Sequence, residues 1–202
     1  MLQFSTADIA RIKERVKEHP EHLEALRAQT AFFFEHGVKV PVGTQSTWIM
    51  NFVCPEDSGT LRYDYASEFE YVCPVCGKVY SGEPYSGAWW RYTVEKVVDN
   101  GFLCAVVWMI TGEEKYKNVA CEILERFAEN YSGYELHGGI PYNNPGMINS
   151  QTLCEALTIR SLAMAFDIVA DAMPAEWRER IVEKLIVPSA NVLCEQRMNQ
   201  LH

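Results

Sequence analysis

The chain has 202 residues, of which 48% are apolar and 22% are charged, a composition typical of a globular protein. Its formal net charge of −9 and the lack of a basic stripe argue against binding to nucleic acid. The longest apolar runs are too short to span a bilayer, and the first twenty residues show no signal peptide. We therefore expect a cytoplasmic protein with neither a nucleic-acid nor a membrane partner.

Residues 1–37 form the first predicted unit and carry two helical signals. Ser5 followed by Asp8 has the pattern of a capping box and predicts a helix over residues 5–19. Pro20 suits the first position of a second helix over residues 20–36, which Gly37 would end. Apolar residues at helical spacing give both helices a face that packs against the rest of the chain.

Residues 38–88 form the second predicted unit, in which Pro, Gly and Ser cluster. Short β-rich runs at 47–54, 60–65 and 69–72 predict a small β-rich excursion with little core of its own. Cys73-Pro-Val-Cys76-Gly77 places two thiols two residues apart before a glycine, which is typical of a metal knuckle.

Cys54-Pro-Glu-Asp57 resembles the same knuckle, with Asp57 at the position of its second ligand. Three thiolates and a carboxylate can hold a tetrahedral zinc ion, so we predict a structural zinc site at Cys54, Asp57, Cys73 and Cys76. The alternative is a set of free thiols on a β-hairpin. The other four cysteines lie among apolar helical residues, where they behave as small hydrophobes in a reducing compartment.

Residues 89–202 form the third predicted unit and read as helices over 90–110, 113–131, 148–172 and 175–197. Two helix pairs with tight inner turns and a longer outer loop indicate an all-α array of helical hairpins, either a bundle or part of an α/α toroid. A toroid needs about five or six such pairs, and the sequence ends within a helical pattern. We therefore expect an N-terminal piece of a longer protein, whose remainder would be its partner.

The segment Trp89-Trp90-Arg91-Tyr92 follows a flexible loop and predicts a surface that meets a ligand. Sugar rings stack on indoles, and a guanidinium pairs with a carboxylate or a sulfate. The alternative is that these residues only open a helix and that a Trp faces the core.

Several motifs together resemble the heparinase II/III-like and oligoalginate lyase group of polysaccharide lyases. They are GEPYSGAWWR at 82–91 within the segment 73–91, TGEEKY at 111–116, GMINSQTLCEA at 146–156 and AFDI at 165–168. The resemblance implies an N-terminal α/α toroid followed by β-sandwich domains, with this chain as the incomplete first part of the toroid. It also implies β-elimination on an acidic oligo- or polysaccharide that contains uronic acid.

Elimination needs a group that neutralises the uronate carboxylate, a base and an acid. The resemblance places the residues that help hold the carboxylate near residues 199–202, so Asn199 and His202 are candidates for substrate binding and catalysis. The further catalytic Tyr and His would lie beyond residue 202, so we expect the isolated chain to be inactive. The other candidate substrate-binding residues are Trp90, Arg91, Tyr142, Asn143 and Gln151.

Each candidate also has a structural explanation. Tyr142 and Asn143 lie in a segment of turn formers, Gln151 forms a polar pair with Glu155 at a helix start, and His202 is a lone histidine. Two other functions remain open. An α/α-barrel glycoside hydrolase would use two carboxylates, for which Asp99, Glu155 and Asp167 are available. A zinc-stabilised helical module could instead bind a partner without catalysis.

Overall fold

The computed structural model describes residues 1–139 and 144–200, with side chains to residue 197. Its α-helices are α1 (Thr6–Glu18), α2 (Pro20–Thr30), α3 (Phe32–His36), α4 (Tyr85–Thr111), α5 (Glu114–Asn130), α6 (Thr152–Val169), α7 (Ala175–Ile181) and α8 (Val187–Gln200). Strands β1 (Tyr71–Val72) and β2 (Val79–Tyr80) pair antiparallel as a hairpin. The prediction of an all-α chain of helical hairpins with a small β-rich insertion is confirmed.

The amino-terminal helices follow the sequence signals closely. The Ser5 hydroxyl accepts a hydrogen bond from the Asp8 amide, and the Asp8 carboxylate accepts one from the Ser5 amide, so the capping box is present. The predicted helix over residues 20–36 is wrong as one element, because it divides at Ala31 into α2 and α3. The Thr30 hydroxyl bonds to the carbonyls of Leu26 and Arg27, a back-bonding that bends helices.

Helix α4 is the centre of the molecule and packs against α2, α5 and α6. With 27 residues it is about 40 Å long. It begins five residues before the predicted start and ends at Gly112, whose φ of 75° gives the left-handed cap that reverses the chain into α5. Gly101 lets α4 and α5 approach, because a Cβ there would lie 2.6 Å from Cδ1 of Ile123.

Helices α4 and α6 run side by side in the same direction. The Ser161 hydroxyl of α6 donates a hydrogen bond of 2.7 Å to the Asp99 carboxylate of α4. Arg91, eight residues before Asp99 in α4, and Cys154, seven residues before Ser161 in α6, line one cavity. Matching separations in the same direction show a parallel alignment, so the amino-terminal parts of both helices lie at one end of the molecule.

The segment between α3 and α4 differs from the prediction of three β-rich runs. Residues 49–51 form a 3-10 turn, and the runs at 47–54 and 60–65 meet only at a single bridge between Val53 and Thr60. This segment has its own apolar cluster, in which Phe52, Leu61 and Tyr71 pack with Trp89 and Trp90 of α4. The segment is therefore held mainly by its own apolar cluster and by its packing against α4, rather than by an extended sheet.

The carboxy-terminal helix is also interrupted. The predicted helix over 175–197 contains a π-helical turn at Val182–Ile186 between α7 and α8. Pro188 follows this turn, and because proline has no amide hydrogen it cannot complete the α-helical ladder there. Among the described residues, no helix is both long and apolar enough to cross a membrane. The division into units at residues 37 and 88 stays a prediction.

Candidate metal centre and adjoining cleft

Two knuckles with the same backbone design bring the predicted metal ligands together. In the first, the Ser58 amide bonds to the Cys54 carbonyl and the Cys54 amide bonds to the Gly59 carbonyl. In the second, the Gly77 amide bonds to the Cys73 carbonyl, and the Cys73 amide bonds to the Lys78 carbonyl. Ser58 and Gly77 take matching positive φ angles of 60° and 74°. Asp57 and Cys76 therefore occupy equivalent positions.

The four side chains form a compact group, called here the metal cluster: Cys54, Asp57, Cys73 and Cys76. Their ligand atoms all lie within 4.8 Å of one another. The sulfurs of Cys54 and Cys76 are 3.7 Å apart, and the Cys73 sulfur is 3.4 Å from Oδ2 of Asp57. With metal–sulfur bonds of about 2.3 Å and metal–oxygen bonds of about 2.0 Å, a tetrahedron has edges of about 3.8 Å and about 3.5 Å. The cluster could therefore hold a metal ion.

Neighbouring donors hold the ligand atoms of the cluster in place. The Val75 amide donates to the Cys73 sulfur at 3.4 Å, and the Gly59 amide donates to Oδ1 of Asp57 at 2.8 Å. The Tyr80 hydroxyl lies 3.0 Å from the Cys54 sulfur. Such contacts orient ligands around a metal ion. The sequence analysis did not include Tyr80, which reaches Cys54 only because β2 folds back along β1.

The electrostatics of the cluster also favour a cation. Burial by itself would raise the pKa of the Cys54 thiol, but hydrogen bonds from Tyr80 and from backbone amides outweigh it and lower that pKa. A backbone hydrogen bond at Lys78 acts to lower the pKa of Cys76, but burial and the adjacent acidic groups raise it to about 12. Four acidic groups this close repel one another when ionised, and a divalent cation would remove that repulsion.

A cleft adjoins the metal cluster at the end of the molecule where α4 and α6 begin. It contains a cavity of about 260 Å³, called here the cleft cavity, which lies between the 3-10 turn, α4 and the start of α6. Its lining residues are Thr47, Trp48, Ile49, Met50, Arg91, Ser150, Gln151 and Cys154. Arg91 and Gln151, 60 residues apart in sequence, thus meet in one cavity.

Arg91 lies at the boundary between two cavities. Its side chain is only 12% exposed and lies 3.5 Å from the Glu95 carboxylate, which is itself 51% exposed. A second, smaller cavity of about 60 Å³ continues along α4 and α6 and is lined by Arg91, Glu95, Asp99 and Arg160, among others. The Arg91 guanidinium is therefore partly shielded from water, where an anionic group would bind it more strongly than at an open surface.

The two indoles do not form an open surface. Trp89 is fully buried and donates a hydrogen bond of 2.9 Å from Nε1 to the Asp64 carbonyl. Trp90 is 7% exposed and packs edge-on against Trp89, with ring centroids 5.0 Å apart. Both rings anchor the knuckle segment to α4, as the structural alternative anticipated. Little of Trp90 is accessible, and its predicted contact with a sugar stays a prediction.

Trp48, Ile49 and Met50 form a wall of the cleft cavity that the sequence analysis missed. They lie in a stretch that was predicted as a strand, and the 3-10 turn at residues 49–51 is part of the wall that faces the same cavity as Arg91 and Gln151. Several other candidates lie outside the described part of the structure. Tyr142, Asn143 and His202 fall outside the described residues, and Asn199 lies in α8 without a described side chain. Their roles stay predictions.

A buried polar network holds two walls of the cleft cavity together. The fully buried Glu155 carboxylate accepts a hydrogen bond of 2.9 Å from the Asn149 amide. The Asn149 side chain accepts a hydrogen bond of 2.8 Å from the Ser46 hydroxyl. The network therefore links the segment before Gln151 with the segment before Thr47. The sequence analysis considered Glu155 as a partner of Gln151 and as a candidate hydrolase carboxylate, and its complete burial was the signal that the sequence could not supply.

The three carboxylates considered for a hydrolase have other partners. Glu155 is buried in the polar network, and Asp99 accepts a hydrogen bond from Ser161. Asp167 accepts hydrogen bonds from the amides of Leu2 and Gln3, which fasten the amino terminus to α6. None of these three has the setting of an acid–base pair facing a substrate.

Part of the chain is similar in sequence to a known enzyme. No family model matches the chain. Over 105 residues, half of this chain, it is 28% identical to an exo-oligoalginate lyase of Saccharophagus degradans. Half of the chain is therefore similar to part of one polysaccharide lyase. The matched stretch spans 14% of that lyase, so the relationship covers a small part of the relative.

Proposed function

We propose that this chain is the N-terminal helical part of a polysaccharide lyase that cleaves uronic-acid-containing glycans by β-elimination. The observation that carries the proposal is the meeting of Arg91 and Gln151 in one cavity, in a chain related to an exo-oligoalginate lyase. A guanidinium and an amide can pair with a sugar carboxylate and with ring hydroxyls. The alginate- or heparan-like substrate is part of the proposal.

A further polar group supports ligand binding in the same cavity. The Thr47 hydroxyl oxygen is buried and has no hydrogen-bond partner among the described residues. An unsatisfied buried hydroxyl is costly, so water or a ligand hydroxyl is expected to bond with it. Apolar side chains of Trp48, Ile49 and Met50 complete the wall and offer contacts for the apolar faces of sugar rings.

We propose zinc as the ion of the metal cluster and a structural role for it. Three thiolates and one carboxylate whose ligand atoms lie within 4.8 Å of one another suit zinc better than calcium or magnesium, which prefer oxygen ligands. The protein would fill all four positions of the tetrahedron, which is typical of a structural site rather than a catalytic one. The ion would hold together a segment that has only a two-residue hairpin as regular sheet.

The experiment uses the complete gene product that contains these residues. It is mixed with alginate and heparan oligosaccharides, and unsaturated products are followed by their ultraviolet absorbance. We expect an absorbance increase from at least one uronate. Hydrolysis that yields reducing ends without unsaturated sugar would favour the α/α-barrel hydrolase. Zinc-loaded protein without turnover on any acidic glycan would favour the non-catalytic binding module.

A further inference from the structure

We propose that the metal cluster fixes the shape of the cleft cavity, so that loss of the metal opens the wall formed by Trp48, Ile49 and Met50. The inference rests on the metal site and the cleft of the proposed function. It adds that the two are coupled: the metal positions residues that would contact the substrate, although it does not contact the substrate itself.

The first link between the two sites is the short stretch of chain that joins them. Met50 lines the cleft cavity, and Cys54 in the metal cluster follows four residues later. Between them, Phe52 is fully buried and packs against the rings of Tyr71 and Tyr92, with centroids 5.3 Å and 5.6 Å away. A metal bound to Cys54 would therefore hold one end of this wall.

The second link runs through α4. Cys54 and Cys73 belong to the same buried cluster as Ala88, Trp89 and Trp90, and Arg91 follows Trp90 directly. The opposite wall of the cavity is thus packed against the metal-binding segment as well. Because buried side chains are close-packed, a displacement of the knuckles would also displace residues of both walls.

Outside these contacts, little regular structure holds the wall. The Thr47 amide bonds to the Gly87 carbonyl at 2.8 Å, the Phe52 amide to Ile49, and the Leu61 amide to Phe52. Ile49 and Met50 are 42% and 68% exposed. A segment with few buried contacts and isolated hydrogen bonds opens locally at low free-energy cost. At the end next to Cys54, the metal ligands would therefore be the strongest constraint on the wall, whereas hydrogen bonds of Ser46 hold its other end.

Coupling of this kind is reciprocal. If the metal stabilises the closed wall, a ligand that binds the closed wall must strengthen metal binding by the same factor. The effect needs no contact between the metal and the bound substrate, because both favour the same arrangement of residues 47–54. The metal cluster would then act on substrate affinity from outside the cleft.

Cys154 provides a direct test, because this residue of α6 lines the same cleft cavity as the wall. The chain is loaded with zinc, or stripped with a chelator, and its thiols are alkylated and followed by peptide mass spectrometry. We expect metal loss to speed alkylation of Cys154 by about tenfold, as expected when a local opening becomes easier by about 1.4 kcal/mol. Cys194, exposed and outside the cluster, serves as the internal reference.

Hydrogen exchange supplies the second readout. In the metal-free chain and in Cys73→Ser, amides of residues 47–61 should exchange faster, while those of α5 stay protected. Cys194→Ser is the matched control, and it should bind zinc and exchange like the wild type. Unchanged Cys154 alkylation and unchanged exchange at residues 47–61 in a chain shown to lose zinc would overturn the coupling. Equal loss of protection in α5 would also overturn it.

These outcomes separate the coupling from the proposed function. Both readouts work without substrate, so they do not depend on lyase activity. A chain that binds no zinc would remove the metal from the proposed function and the coupling with it. A chain that binds zinc, but whose Cys154 alkylation and hydrogen exchange are the same with and without zinc, would overturn the coupling alone.

Discussion

At the scale of single residues, the informative side chains are the ones whose surroundings differ from what their type predicts. Arg91 is a cation largely withdrawn from water, and Glu155 is a carboxylate with no exposed surface. Asp57 takes the place of a cysteine in a knuckle. Each has a physical consequence that a substitution can measure.

Glu155 should make stability depend on pH. Burial, only partly offset by hydrogen bonds from Asn149, Ile148 and Tyr131, raises the pKa of its carboxyl from 4.5 to about 7. The folded chain therefore binds this proton more tightly than the unfolded chain. The stabilisation is fully present below about pH 4.5 and is lost as the pH rises through about 7, an effect of about 3 kcal/mol.

Glu155→Gln isolates this effect. The amide keeps the size of the protonated side chain and does not ionise, so the variant should lack this group's loss of stability between pH 5 and pH 8. Urea unfolding of both chains across that range measures the difference. Parallel curves of unfolding free energy against pH for the two chains would contradict the assignment.

Arg91→Ala should lower the catalytic efficiency of the complete enzyme on its uronate substrate. Loss of a charge-assisted pair with a carboxylate should lower kcat/KM by roughly tenfold or more. Arg126→Ala is the matched control, since Arg126 is an exposed arginine of α5 with a glutamate partner four residues before it. Steady-state kinetics on the same uronate measures both. Equal kinetics for Arg91→Ala and the wild type would count against a substrate role for Arg91.

Asp57→Ala should weaken zinc binding more than Asp57→Asn, because alanine removes the fourth ligand whereas asparagine keeps an oxygen in place. We expect one zinc per chain in the wild type and a lower affinity in both variants. Competition with a chromophoric chelator gives the affinities. Wild-type affinity in Asp57→Ala would exclude Asp57 as a ligand.

At the scale of elements, the fold depends on how closely the long helices approach. α4 carries Gly101 where it faces Ile123 of α5, and Gly87 where Thr47 crosses its first turn. At Gly87 an added Cβ would lie 2.5 Å from the Thr47 hydroxyl oxygen. Small residues thus set the spacing of α4 from both the helical core and the cleft wall.

Gly101→Ala should destabilise the chain although alanine favours helix. The added methyl would lie 2.6 Å from Cδ1 of Ile123, and overpacking of this kind costs about 1–3 kcal/mol. Thermal unfolding measures the loss. Gly101→Ala combined with Ile123→Val should recover part of it, because the valine has no Cδ1. A Gly101→Ala chain more stable than the wild type would show that α5 shifts freely.

At the scale of the whole molecule, the described helices pair into hairpins around α4, with one end open as a cleft. We predict that residues 1–202 alone have no appreciable lyase activity, because the proposed Tyr and His for proton transfer would lie beyond residue 202. The ultraviolet assay used for the complete gene product tests this, with zinc-loaded, folded chain. Robust elimination by residues 1–202 would contradict the prediction.

The sequence by itself determined the elements whose signals are local. The capping box at Ser5, the left-handed Gly112 and the helical periodicity of α5 and α6 act through neighbours within a turn or two. The two Cys-Pro knuckles are equally local, since each sets the backbone around its own ligands. That is why the helices, their approximate bounds and the membership of the metal cluster could be predicted.

Only the tertiary structure decided which side chains are buried and which distant segments meet. The burial of Trp89 and Trp90 depends on Phe52, Leu61 and Tyr71, which come from a separate segment. The burial of Glu155 and the wall formed by Trp48 and Met50 likewise depend on packing between elements. The meeting of Arg91 with Gln151 follows from the parallel packing of α4 and α6, which brings the starts of both helices to one end of the molecule. Solvation and long-range packing are properties of the assembled chain, and no local pattern of residues specifies them.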